Sequence, residues 1–273
     1  MQAHMRVLQV WATGNGNPEQ AIRDLVSSAL ASPVHGSKNA GALREPYFLR
    51  YPNLKTYVLV LFRITFLKHI YGIDCRELFF KLFPRREVLA LREALLKDDE
   101  ALAILSTHAV NFLYLFDRMI QSGEPSFNPA YFLDIGGTQY DLTNPIHLQL
   151  KIYLYTHCVI GETLFYYRAL PPETQAPYTQ MLAELETLID SRFADINLDN
   201  KFEFLVCAKI GGFDTKLRAR IFDEAARSVS ESGTFLVDRH NNNPQTANST
   251  LSKSEHRNVL AIMADRSFTP LTH

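Results

Sequence analysis

The chain reads as an all-α protein, an array of antiparallel helical hairpins with a period of about 49 residues that forms a partly closed α/α toroid or an open solenoid. Three observations predict this. Apolar residues recur at the i, i+4, i+7 spacing of amphipathic helices through most of the chain. The strongest stripes centre on Leu59, His108, His157, Val206 and His256, which stand 49, 49, 49 and 50 residues apart. Small residues, Ala109, Cys158 and Cys207, follow three of those centres and suit close helix packing. Stacked hairpins, each pairing an apolar inner helix with a more polar outer one, generate such a period. With 273 residues, 47% of them hydrophobic, one helical-repeat domain over 1–273 can bury a large core.

Taken in order, Asn17 and Pro18 suit an N-cap and a first helical position, and 21–31 supports a first helix. The segment 32–53 carries Pro33, Gly36, Gly41, Pro46 and Pro52 and is expected to be a long irregular connection with Tyr47, Phe48, Leu49 and Tyr51 buried. Residues 54–71 are apolar nearly all round, as in a central helix covered on several sides, and Gly72 ends them. Asp74 caps a short helix, Pro84 opens the next over 85–97, and Asp98 or Asp99 caps a helix over 100–120 that carries His108. Within 131–142 two short alternating runs flank Gly136-Gly137, which predicts one small β-hairpin.

Asn144-Pro145 starts a helix that runs to Arg168. Its first ten residues also alternate as a strand would, but the helical periodicity continues without a breaker far beyond strand length. Pro171-Pro172 closes it. An outer helix follows over 178–193, then an inner one over 201–210, capped from 197–200 and stopped by Gly211-Gly212. Asp214 and Thr215 cap 216–228, 233–238 reads as extended and 239–249 as a polar loop. Ser252 or Ser254 then caps a last helix with His256, Val259, Leu260 and Met263 on one face.

Composition narrows the function classes. The 28 Lys+Arg nearly balance 29 Asp+Glu, so neither a nucleic-acid nor a membrane-surface partner is expected. Cys75, Cys158 and Cys207 are far apart and form neither a disulfide framework nor a cysteine-rich zinc site. No secretory leader reads at the N-terminus, and the most apolar run, 57–67, is broken by Arg63 and too short to span a bilayer; a cytoplasmic location is expected. Fingerprints of the G-x-S-x-G, H-E-x-x-H, P-loop and dinucleotide kinds are absent.

The run Leu133-Asp134-Ile135-Gly136-Gly137-Thr138 resembles the phosphate-binding hairpin of sugar kinases with an actin-like fold. That resemblance implies phosphate binding through 134–138, in a fold richer in sheet than this chain. The repeat pattern is similar to that of α/α toroids such as lanthionine and terpene cyclases, in fold pattern only. The Cys-Cys-His zinc site of the former and the Asp-rich motif of the latter have no match here.

His108 reads as a neutral, hydrogen-bonded core histidine. His157 and His256, if their helices are equivalent, point the same way and can serve as general acid and base or as ligands of a divalent metal. Polar residues gather at the inner-helix starts: Asp199, Asn200 and Glu203 at one, His256 at another, with Asp238 and His240 just before it. Free N–H groups at helix starts favour an anionic ligand. Ordinary capping explains Asp199 and Ser254, but explains Glu203, His240 and His256 less well. The expectation is an enzyme using acid–base or metal-assisted chemistry on a small-molecule or peptide substrate at the N-terminal end of the inner helices. His157, Glu203 and His256 would be its central groups, with Asp199, Asn200, Asp238 and His240 in support. The alternative is a non-catalytic helical-repeat protein that binds a protein partner on its concave face.

Overall fold

The computed structural model describes residues 38–121, 126–230, 232–237 and 251–266, together with 20, 23, 24 and 27. These residues form twelve α-helices and no sheet; among them the one β feature is a bridge between Val229 and Leu236. None of these helices is long and apolar enough to cross a membrane. Of the expected first helix, Arg23, Asp24 and Ser27 are described and helical, and the rest lies outside the described residues. Contacts gather into two compact units, Met1–Asn128 and Pro129–His273.

The first unit contains α1 (Lys38–Arg50), α2 (Leu54–Tyr71), α3 (Arg76–Leu82), α4 (Arg85–Leu95), α5 (Asp99–Leu105) and α6 (Thr107–Phe116), followed by a π-helical turn, Asp117–Gln121. Helix α1 corrects the expected irregular connection. Pro46 lies inside it and removes one backbone hydrogen bond. The helix survives because Ala40, Arg44, Tyr47, Phe48 and Tyr51 fall at i, i+4, i+7, i+8 and i+11 and are all buried. Each large apolar side chain so covered contributes roughly 1.5–3 kcal/mol, enough to offset the proline. Leu49, expected inside, is 76% exposed on the opposite face.

The single helix expected over 100–120 is also broken. Asp98 accepts from the Ala101 N–H and caps α5, but Ser106 takes φ 29°, a strained value for a residue with a side chain, and α6 starts afresh at Thr107. Arg44 holds the break by donating from Nε to Ile104 O (3.0 Å) and from Nη2 to Ser106 Oγ (3.2 Å). Further along, the buried carboxylate of Asp117 accepts from Arg92 Nε (2.8 Å), Arg92 Nη2 (2.9 Å) and the Ser126 N–H (2.8 Å), which satisfies both charges away from water.

The second unit contains α7 (Tyr131–Thr138), α8 (Pro145–Glu162), α9 (Gln175–Ser191), α10 (Leu198–Ile210), α11 (Arg218–Arg227) and α12 (Leu251–Asp265). Helix α7 replaces the hairpin expected near 131–142. Its Gly136 is there for contact rather than for a turn: a Cβ at that position would lie 2.1 Å from Tyr155 Oη, so only glycine lets α7 rest on α8. Residues 134–138 therefore form no glycine turn open to a phosphate.

Helix α8 begins as its sequence predicts, with Asn144 accepting from the Ile146 N–H and Pro145 in the first turn. It ends at Glu162, six residues short of Arg168, because Leu164, Phe165 and Tyr166 take φ 51°, 57° and 70°. Helix α9 runs antiparallel to α8: Tyr155 Oη donates to Glu184 (2.9 Å) near one end, and Tyr178 Oη to Glu162 (2.9 Å) near the other. Asn197 caps α10 by accepting from the Asn200 N–H (2.8 Å). Lys201, fully buried, is neutralised by Glu224 (2.5 Å) and lies 3.8 Å from the centroid of the Phe193 ring. Phe202, Phe204, Leu205 and Val206 fill the core around α10. Helix α10 packs against both α8 and α12, and it runs alongside α12 in the same direction: Asp199 meets Arg257 at one end, and Lys209 Nζ donates to Met263 O (2.7 Å) at the other.

Candidate functional site

The contact of α8, α10 and α12 gathers titratable side chains from all three helices. On α10, Asp199 and Glu203 are one turn apart and share a face. Glu203 is 3% exposed. Its Oε1 lies 3.9 Å from His157 Nε2 and in short hydrogen-bond contact with Thr156 Oγ1, both from α8. Asp199 turns to α12, accepting from Arg257 at 2.5 Å and 3.0 Å through Oδ2 and facing His256 Nδ1 at 3.5 Å through Oδ1. The His256 side chain is 67% exposed, so its other ring nitrogen is open to solvent.

These environments push the two carboxyls apart. Burial raises the Glu203 pKa above the ordinary glutamate value, and the donor on Thr156 and the charge of His256 only partly offset it. Burial acts on Asp199 in the same sense, but the hydrogen bond from His256 and the guanidinium of Arg257 outweigh it and hold its pKa below the usual carboxylate range. The His256 pKa is raised, first by its hydrogen bond to Asp199 and then by the charge of Glu203, against some desolvation. Thr156 Oγ1 is also 3.0 Å from Ile152 O, which can only accept. A hydroxyl has one proton, so Thr156 shares it between Ile152 O and the Glu203 carboxyl.

Four of the expected site residues, His157, Asp199, Glu203 and His256, thus come together. Asn200 does not join them: it is 1% exposed and both its amide atoms are buried without a hydrogen-bond partner. Asp238 and His240 lie outside the described residues. Asp199 and Asn200 lie in the first turn of α10, as expected, and Glu203 is the sixth residue of that helix. His157 is the thirteenth residue of α8 and His256 the sixth of α12, so the cluster is a lateral junction of helices rather than a ring of N-termini.

Three neighbours went unrecognised. Thr156 stood in the sequence beside His157, and Arg257 beside His256, so adjacency to a candidate was the available signal. Tyr166 had none: it sits in the left-handed turn after α8, where burial and the charge of Glu203 push its phenol up. Cys207 donates its thiol to Thr156 O (3.6 Å), and burial pushes both it and Cys158 well above the usual thiol range, so neither is a nucleophile in this state. Among the described residues no group of three or more His, Cys, Asp or Glu side chains is placed to hold a metal ion. The geometry offers two carboxyl–imidazole pairs instead. Compared with family models, with curated proteins and with solved structures, the chain finds no match.

Proposed function

We propose that the second unit is the catalytic part of a cytoplasmic enzyme that moves protons to and from a small or peptidic substrate at the α8–α10–α12 junction. The observation that carries this reading is the contrast in surroundings of two carboxyls one turn apart on α10, Glu203 buried against Thr156 and His157 and Asp199 paired with Arg257 and His256. Burial raises the Glu203 pKa, whereas Arg257 and His256 hold Asp199 ionised. Pairs of titratable groups driven apart by their surroundings are how one site supplies both an acid and a base. In this reading Asp199 orients His256 through Nδ1, leaving its exposed Nε2 as the base that meets the substrate. Glu203 is the acid, with Thr156 and His157 as its proton-exchange partners. Helices α8, α10 and α12 would be the inner helices of a hairpin array, and the substrate would approach along the exposed side of α12.

The test is a panel of chromogenic esters, amides, glycosides and phosphoesters, assayed with the natural protein, Glu203→Gln and His256→Ala. A substrate turned over by the natural protein should lose about 100-fold or more in rate with either change, the usual worth of general acid–base catalysis. Turnover that survives both changes removes these residues from the mechanism. A second reading, a binding module for a protein partner, draws on Leu251 and Ile262, which are 56% and 61% exposed eleven residues apart on one face of α12. Loss of partner capture with Leu251→Lys/Ile262→Lys, and no turnover of any substrate class, would favour it.

A further inference from the structure

We infer that the α8–α10–α12 junction binds a primary carboxamide, recognised by the side-chain amide of Asn200 through a pair of hydrogen bonds. This deepens the reading of the junction as a catalytic site, and rests on it for the carboxamide to be part of the substrate. Asn200, Glu203 and Cys207 fall at i, i+3 and i+7 on α10 and so share one stripe of the helix. Glu203 and Cys207 both meet Thr156 of α8, which turns the stripe, and Asn200 with it, toward the seam between the two helices. Asn200 is 1% exposed, and neither its Nδ2 nor its Oδ1 has a hydrogen-bond partner among the described residues. An amide so placed costs free energy that packing does not recover, and functional sites are where a fold tolerates such a cost. Asn197 and Asp199, beside it at the start of α10, keep part of their surface open, so the amide lies beneath an end of the helix that solvent reaches.

The two unpartnered atoms set the chemistry of the ligand. Oδ1 accepts and Nδ2 donates, so a group that satisfies both must donate and accept from adjacent atoms. A primary carboxamide does this, since its C=O and one N–H lie side by side. A trans peptide bond does not, because its C=O and N–H point in opposite directions. A carboxylate would accept from Nδ2 but leave Oδ1 facing another acceptor. Charge tells against a carboxylate as well. Arg257 and His256 are engaged by Asp199, Lys201 is engaged by Glu224, and Glu203 stands one turn along the same stripe, so an added negative charge would meet carboxyls already in place. Asparagine and glutamine side chains and an amidated peptide end carry the neutral group that fits.

Acetamide is the probe, with acetate and N-methylacetamide as controls. The isotope-labelled full chain is titrated with each through the millimolar range, and the Asn200 side-chain amide and the α10 backbone amides are followed by NMR. Saturable shifts at the Asn200 side chain are expected with acetamide, and neither control should reproduce them. This titration of the natural protein tests the site without any variant. Asn200→Leu should weaken acetamide binding, read from the α10 backbone amides, by about tenfold or more, the loss of two hydrogen bonds to a buried group. Denaturant titration checks that the variant is folded. Acetamide shifts no larger than those of acetate, or equal affinity in Asn200→Leu, would overturn the proposal. Acetamide binding at Asn200 with no turnover of any substrate would keep the recognition and remove the acid–base reading. Turnover that needs Glu203 and His256 but is unmoved by acetamide and by Asn200→Leu would keep the acid–base reading and overturn the carboxamide.

Discussion

Thr107-His108-Ala109-Val110 and Thr156-His157-Cys158-Val159 are near-copies in sequence and opposites in setting. The second lies deep inside α8, where Thr156 and His157 both face a buried carboxyl from α10. The first opens α6 at a strained break, and its histidine faces Arg44 and Lys55 instead. His108 was expected to be neutral and hydrogen-bonded; burial, Arg44 and Lys55 keep it neutral, and a backbone hydrogen bond with Leu105 only partly opposes them. The local pattern therefore does not set what these histidines do. What arrives from the neighbouring helices does.

The largest test of this contrast is the response to acid. His108 stays neutral down to about 3, so between there and its ordinary value of 6.5 the unfolded chain binds more protons than the folded one. Stability of the first unit should fall as pH drops through that window, by at most about 1.4 kcal/mol per pH unit. His256 works the other way: its raised pKa adds stability that is present below its ordinary value and is lost as pH rises through the folded one. Hydrogen exchange of α6 amides against pH, in the natural protein and in His108→Leu, measures the first effect. A slope unchanged in His108→Leu would break the contrast.

A smaller effect separates the two threonines. Thr156→Val strips Glu203 of a buried hydrogen-bond partner and should destabilise the second unit by about 1–3 kcal/mol. Thr107→Val, at a half-buried first-turn position, should stay within about 0.5 kcal/mol. Denaturant titrations of the two variants compare them directly, and equal losses would mean the patterns are equivalent after all. Smallest is Asn200→Leu. Its amide is buried without partners, so an apolar side chain of similar size should be neutral or stabilise by up to about 1 kcal/mol in the same titration. A clear loss of stability would show that the amide has a partner in solution.

What the sequence revealed follows from how local each cause is. Asn144-Pro145 and Asn197 announce their helices because capping is written in adjacent residues. Helix α1 was hidden by Gly41 and Pro46, since only the burial of Tyr47, Phe48 and Tyr51 in the folded unit outweighs the proline. Gly136-Gly137 reads as a turn until Tyr155, nineteen residues beyond Gly136, is seen to need the space. At the site, Glu203 and His256 were legible as more polarity than capping requires. The roles of Thr156 and Arg257 were not, because each depends on a partner more than forty residues distant.

The site turns on a Glu203 whose pKa burial raises beside an Asp199 held ionised by Arg257 and His256. The direct measurement is the titration of the Glu203 carboxyl carbon by NMR in selectively labelled protein, with Asp199→Asn as comparison. The expected result is a Glu203 pKa above the ordinary glutamate value, falling when Asp199→Asn removes a neighbouring negative charge. A Glu203 that ionises at or below the ordinary value in the natural protein would contradict the acid assigned to this site.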